Sequence, residues 1–159
     1  MILIPLLVSG PAFSAARGPS TAEERQKAVE LVRVLETSPW TDEAKEARVW
    51  LTTFLNEAPD ITVKQCLSLL GSPAERQGIP ADLSMQHMFS SAAHILEHPG
   101  AGAGSTETFL AGLEGTFKSY SALRAHNSIE PQPRLEQLLQ IQKDGQLEAY
   151  VRGQGRNCL

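Results

Sequence analysis

From Arg17 onward, apolar residues recur every three to four positions, the spacing that places them on one face of an α-helix. No stretch alternates apolar and polar residues at the two-residue period of a β-strand bounded by hairpin turns. Amphipathic helices without a sheet must bury their apolar faces against one another. The pattern therefore predicts an all-α fold, a compact bundle of about six or seven helices with no significant sheet.

Capping residues and prolines indicate where each helix begins and ends. Ser20 and Glu23 have the spacing of a capping box, and Asp60 and Asp82 are good N-cap residues for later helices. The expected helices run, in chain order, over about 20–38, 41–58, 60–70, 82–98, 105–125 and 133–144, and a short last turn follows.

Two glycines, Gly112 and Gly115, fall in the middle of the long fifth helix. Glycine makes a helix interior less stable than alanine does, by about 1 kcal/mol, so two glycines within one turn need a reason. The missing side chain allows another element to approach closely. We therefore expect a second helix to pack against the fifth one at these two positions.

The first sixteen residues differ from the rest of the chain. Residues 2–8 are mostly apolar, Gly10-Pro11 interrupts the run, and Ser14-Ala15-Ala16 supplies small residues. This pattern predicts a signal peptide over residues 1–16, cleaved after Ala16 or within two residues of it, and a single helical domain over residues 17–159 of a periplasmic or secreted protein. The run is too short for a transmembrane helix, which needs about 20 residues, so no membrane anchor is expected after cleavage. No Lys or Arg precedes the run, and a buried N-terminal segment is the alternative.

The charge pattern excludes one class of partner. The formal net charge is −4, and the Lys and Arg residues are scattered among acidic residues instead of forming a basic stripe. A protein that follows a phosphate backbone needs such a stripe. Nucleic acid is therefore not an expected partner.

Cys66 and Cys158 are the only two cysteines of the chain. Export would place them in an oxidising compartment, so we predict a disulfide that fixes the C-terminal residues to the body of the protein. Neither cysteine belongs to a C-x-x-C motif, so the bond would be structural and not redox-active. The alternative is a buried free Cys66, with Cys158 exposed or bonded to another chain.

The fourth predicted helix carries a stripe of three histidines, His87, His94 and His98. His94 and His98 lie one helical turn apart, a separation at which two ring nitrogens can bind one transition metal ion such as zinc. His87 lies about two turns from His94, too far to bind the same ion unaided. Because two ligands do not complete a zinc site, the other interpretation is a solvated histidine face.

The segment His94-Ile95-Leu96-Glu97-His98 also resembles the H-x-x-E-H motif of the inverzincin metallopeptidases. The resemblance implies that both histidines bind zinc and that Glu97 acts as general base toward the bound water. It covers five residues, and the context differs, since inverzincins are much larger α+β proteins with a further acidic ligand on a distant helix. Glu114 and Glu148 are the acids available for that place here. A metal-dependent protein, for metal handling or zinc hydrolysis, is therefore the second hypothesis.

Nothing else in the sequence forms a complete catalytic or cofactor-binding set. The Gly-rich segment 100–104 follows no predicted strand and precedes no P-loop lysine, and neither G-x-S-x-G nor paired-cysteine motifs occur. Trp40 and Trp50 flank the start of the second helix and are interpreted as packing residues and not as a ligand platform. The sequence therefore favours an exported, non-enzymatic protein without a cofactor, which binds an unknown protein or small molecule through a helical surface.

Overall fold

A computed structural model describes residues 17–158, and this part of the chain contains α-helices and no β-strand. The helices are α1 (Ala22–Thr37), α2 (Asp42–Glu57), α3 (Ala81–Glu97), α4 (Thr106–Ala125), α5 (Pro133–Lys143) and α6 (Leu147–Gln154). Two short 3-10 helices cover Leu67–Leu70 and Gly155–Cys158. The predicted all-α fold is confirmed, whereas the predicted signal peptide lies outside the described residues.

The capping box at the start of α1 lies one residue later than the sequence predicted. Thr21 is the N-cap, and its hydroxyl accepts a hydrogen bond from the backbone N–H of Glu24, whose carboxylate accepts one from Thr21 in return. Ser20 instead donates its backbone N–H and its hydroxyl to the carboxylate of Asp60, each at 2.8 Å. The side chain of Asp60 therefore fixes the chain that enters α1.

The helix predicted to begin at Asp60 does not form. Residues 61–66 have no helical structure, and only Leu67–Leu70 makes a short 3-10 turn that ends at Gly71. The β-branched run Ile61-Thr62-Val63 lowers helix propensity, because its side chains lose rotamer freedom on a helix. An extended chain also advances about twice as far per residue as a helix does. These residues use that reach to pass between two apolar clusters, since Ile61 is buried in one and Cys66 in the other.

The start of α3 also differs from the prediction. Asp82 lies in the first turn of the helix instead of capping it, and Pro80 occupies the N-cap position without a side-chain hydrogen bond. The carboxylate of Asp82 lies 3.4 Å from the guanidinium of Arg48. Packing against α2 therefore competes with the capping role that the sequence suggested.

Helices α3 and α4 form the centre of the fold, with α1 packed on both of them. One apolar cluster joins α1, α2 and α3, and its largest buried residues are Leu35, Leu51, Phe54 and Phe89. The other joins α4, α5, α6 and the turn Leu67–Leu70. Both clusters are built from the apolar stripes that the sequence shows.

Buried polar residues accompany the contact between α3 and α4. We call them the polar seam: Glu36, Gln86, His87, Ser90, Ser91 and Thr108. A Cβ atom on Gly112 would lie 2.9 Å from the ring of His87, and one on Gly115 would lie 2.6 Å from the carboxylate of Glu36. These glycines let the helices approach closely, which confirms the helix–helix contact predicted at Gly112 and Gly115.

The C-terminal residues are folded onto the helical body. The sulfur atoms of Cys66 and Cys158 lie within disulfide-bonding distance, and their Cα atoms are 5.5 Å apart. The hydroxyl of Ser68 lies 3.1 Å from the sulfur of Cys158 and 3.4 Å from that of Cys66. The structure thus brings together the two cysteines that the sequence predicts to pair.

Among residues 17–158, no helix combines the length and the apolar character needed to cross a membrane.

Candidate functional site

The three histidines of α3 do not share one environment. His87 is 1% exposed and lies in the polar seam, whereas His94 is half-buried and His98 is exposed. The stripe expected from sequence is therefore divided, because its first member turns toward α4 and only the other two reach the surface. His94 and His98 stack, with ring centroids 4.3 Å apart.

The residues of the H-x-x-E-H segment are engaged with other parts of the protein. Glu97 accepts a hydrogen bond from the guanidinium of Arg33 on α1 at 2.7 Å. Nδ1 of His98 lies 2.9 Å from the backbone oxygen of His94, one turn earlier on the same helix. Partial burial and the neighbouring His98 lower the pKa of His94. The carboxylate that the peptidase resemblance needs as a free base is thus part of an ion pair.

A third ligand for His94 and His98 is missing from the part of the chain that the structure describes. No group of three or more His, Cys, Asp or Glu side chains there is arranged to hold a metal ion. Glu114 and Glu148, the acids that sequence reasoning offered, do not join the two histidines. Metal binding at this place stays a prediction, which elemental analysis of the purified protein would test.

A serine–histidine pair lies outside α3, after the end of α4. Nδ1 of His126 lies 2.7 Å from the hydroxyl of Ser128, and the ring of His126 stacks on Trp40 with centroids 4.0 Å apart. Both residues of the pair are exposed, and the second ring nitrogen has no orienting carboxylate among the described hydrogen bonds. A nucleophile–base pair of the hydrolase type needs such a third group and a site that shields the reaction from water. The pair is accounted for by the local turn.

The cleft beside the paired cysteines has about 530 Å³ of space, but its main charged group already has partners. Arg134 donates to the backbone oxygen of Leu70 at 3.2 Å and to the hydroxyl of Tyr150 at 2.7 Å, and it lies 3.3 Å from the carboxylate of Glu75. Gly71, with φ of 111°, leaves room for the guanidinium, because a Cβ there would lie 2.8 Å from its Nε. These contacts hold α5 and α6 to the preceding turn, so the arrangement is explained by folding.

The groove between α1 and α2 differs from this cleft in having apolar walls and a charged rim. It encloses about 320 Å³ and is formed by two kinds of side chain. Its apolar walls are Leu31, Ala47 and Trp50, and its charged rim consists of Lys27, Glu43 and Glu46. We call this feature the α1–α2 groove. Trp50 is half-buried and stacks on Phe54, with ring centroids 4.9 Å apart, so that the indole is held in place while one part of it stays accessible.

The carboxylates at the rim of this groove have no partner within the described residues. Neither Glu43 nor Glu46 makes an ion pair or a side-chain hydrogen bond there, although both are exposed beside Asp42 and Lys45, which pair with each other at 2.7 Å. The ammonium group of Lys27 lies 4.5 Å from the centroid of the Trp50 ring and not against either carboxylate. The groove therefore combines apolar walls with exposed carboxylates that have no ion-pair partner among the described residues.

Sequence reasoning did not single out this groove. The sequence interpretation of Trp50 was core or boundary packing, and the indole is indeed half-buried, stacked on Phe54 and packed against the cluster of α1, α2 and α3. The signal that was available is the spacing of Glu43, Glu46, Ala47 and Trp50, which places all four on one face of a helix. The contribution of α1 could not be read from that spacing, since it depends on how the two helices pair.

No protein-family model matches the chain, and no curated protein or solved structure is significantly similar to it.

Proposed function

We propose that this protein is exported and binds a partner through the α1–α2 groove without catalysing a reaction. The observation that carries the proposal is the half-exposed Trp50 beside Glu43 and Glu46, two carboxylates without a described partner, whereas Arg134 and Glu97 in other clefts are held in ion pairs. Rigid aromatic side chains at a groove give contact area at a low cost in conformational entropy, and they are enriched where proteins bind partners. A fixed indole with open space beside it is such a feature.

Export is supported by two independent features. The apolar run and small residues before Arg17 have the pattern of a signal peptide. The cysteines lie at disulfide distance, and disulfides persist mainly in oxidising compartments. Arg17 pairs with Glu24 at 2.6 Å and with Glu57 at 3.4 Å, and cleavage after Ala16 would leave these contacts intact.

A binding role accounts for the polar groups better than a catalytic one does. Glu97 is neutralised by Arg33, and Ser90 donates its hydroxyl to the buried carboxylate of Glu36 at 2.9 Å. A serine that donates to a fixed carboxylate in the core is a structural group, because neither substrate nor water reaches it. The α1–α2 groove combines carboxylates that have no described partner with accessible space beside an indole.

Affinity capture from the native envelope fraction tests the proposal. The mature protein and its Trp50→Leu variant are each immobilised and incubated with the same fraction, and bound proteins are identified by mass. Leucine keeps the groove apolar but removes the indole surface, so we expect a partner on the unmodified protein that is depleted on the variant. Trp40→Phe serves as matched control, because Trp40 stacks on His126 away from the groove. Equal capture by both variants would rule out the groove as the binding surface.

A further inference from the structure

We infer that the α1–α2 groove accepts a lysine or arginine side chain presented on an apolar segment of another protein. This inference rests on the proposed function, because it names the chemistry of the partner for the same groove.

The rim carries a surplus of negative charge that no described residue neutralises. Two carboxylates, Glu43 and Glu46, face one ammonium group, that of Lys27. Glu43 and Glu46 are three positions apart on α2 and therefore neighbours on its surface, where like charges repel each other and destabilise the helix. A cation placed between them would relieve this repulsion. An anionic partner would add to it.

The indole already faces one cation of the protein itself. The ammonium of Lys27 lies 4.5 Å from the ring centroid of Trp50, within the range of a cation–π interaction. Lys27 covers the ring from α1, whereas the two carboxylates lie on α2 on the other side of the groove. A second cation can therefore be attracted to the α2 side without displacing Lys27.

The apolar walls match the stem of a long basic side chain. Lysine and arginine place three or four methylene groups behind the charge and bury that stem along apolar surface when the charged head stays near water. Leu31 and Trp50, which are both half-buried, supply such a surface beside the rim, whereas Ala47 is buried. A small inorganic cation would use the carboxylates alone and leave the apolar walls uncovered. The groove therefore fits a basic side chain carried by a peptide better than a free ion.

Glu46 is the residue whose charge tests the inference most directly. Glu43 lies in the first turn of α2, where a carboxylate also stabilises the helix through its dipole. Glu46 lies one turn further along, beyond the region where this effect is strong, and it has no described ion-pair partner. Replacing Glu46 by glutamine thus changes the groove while leaving the start of the helix unchanged.

Fluorescence titration with matched peptides provides the experiment. Trp40→Phe is used as the background, so that Trp50 is the only indole, and the probe is a short amphipathic peptide with Leu and Lys on one face. The matched probe is the same peptide with acetylated lysines, which keeps the stem and removes the charge. We expect the charged peptide to change the emission of Trp50 and to bind about fivefold more tightly than the acetylated one, the contribution of one well-placed exposed ion pair.

Two glutamate variants separate a local ion pair from the overall charge. Glu46→Gln should weaken binding of the charged peptide by about fivefold, while Glu130→Gln, the same change on the exposed loop before α5, should leave the affinity unchanged. Equal losses in both variants, or equal affinity for the two peptides, would overturn the inference. Circular dichroism of each variant verifies that the helices are retained.

The outcomes also distinguish this inference from the proposed function. If capture of a natural partner depends on Trp50 but not on Glu46, the groove binds its partner and the cationic chemistry is wrong. If capture does not depend on Trp50, the proposed function itself fails, whatever the peptides do.

Discussion

Replacing His87 by leucine should make the fold less sensitive to acid between about pH 6.5 and pH 4. His87 is 1% exposed, and neither of its ring nitrogens has a hydrogen-bond partner among residues 17–158. Burial lowers the pKa of His87 to about 4, because the protonated ring loses its hydration, and the nearby backbone of Phe109 offsets this only in part. Phe109 and Gly112 of α4 face the ring, and both are uncharged. The charged group that α1 brings to the seam, Glu36, is occupied by Ser90 and Arg33.

The sign and size of the effect follow from the two pKa values. In the unfolded chain, His87 takes up a proton near its ordinary pKa of 6.5, whereas in the folded protein it stays neutral until about pH 4. The unfolded state therefore binds more protons between these values, so the free energy of unfolding falls as the pH falls through this window and changes no further below it. One pKa unit corresponds to about 1.4 kcal/mol, so the loss attributable to His87 is about 3 kcal/mol at pH 4 relative to pH 7.

Urea unfolding followed by circular dichroism at several pH values between 7 and 4 measures this loss. Between pH 7 and pH 4, the free energy of unfolding of the unmodified protein should fall by about 3 kcal/mol more than that of His87→Leu. Ser91→Ala is the matched control. It removes a buried hydrogen bond to the backbone of Thr108 on the same helix contact but no titrating group, so its effect should be independent of pH.

Parallel pH profiles for the unmodified protein and His87→Leu would refute the reasoning. If the leucine variant does not fold, the ring can be titrated directly in the unmodified protein by following its proton resonances in nuclear magnetic resonance spectra. A resonance that shifts near pH 6.5 would mean that the ring is solvated or hydrogen-bonded and that the seam is more open than the structure shows.

Three further predictions concern the helix contact, the cysteines and the N-terminus. Gly115→Ala should lower the free energy of unfolding by about 1–3 kcal/mol, because the added Cβ would overlap the side chain of Ser90 and lie 2.6 Å from the carboxylate of Glu36. Gly153→Ala in α6, with open space around it, should raise the free energy of unfolding by up to about 1 kcal/mol, and chemical denaturation of both variants tests the contrast. Cys158→Ser should lower the free energy of unfolding by about 2–5 kcal/mol on the chain-entropy account. Thiol titration of the unmodified protein, denatured but not reduced, should find no free cysteine. Intact mass of the exported protein should correspond to cleavage after Ala16 or within two residues of it, and full-length protein recovered from the cytoplasm would contradict export.

The position of the candidate groove could be predicted only in part from the sequence. The face of α2 that carries Glu43, Glu46 and Trp50 follows from helical spacing. That these glutamates lack partners within residues 17–158, and that Lys27 lies over the indole instead, depends on the pairing of two helices. The same holds for Glu97, whose partner Arg33 is 64 positions away in the chain.

Local chemistry determined much of this protein. The period of the apolar residues predicted the helical class, and the prolines and capping residues predicted most helix limits to within a few residues. The two glycines in α4 predicted a close contact with another helix. These features depend on neighbours within about four positions, whose geometry in a helix is known in advance.

Tertiary structure decided the features that depend on distant residues. The segment after Asp60 is extended because it must reach from one apolar cluster to another, although its residues could have continued a helical pattern. The histidine stripe of α3 is divided because α4 covers His87 and leaves His98 in water. A sequence pattern gives the face on which a side chain lies, but burial and partners depend on which other element covers that face, and that is set by the packing of the whole chain.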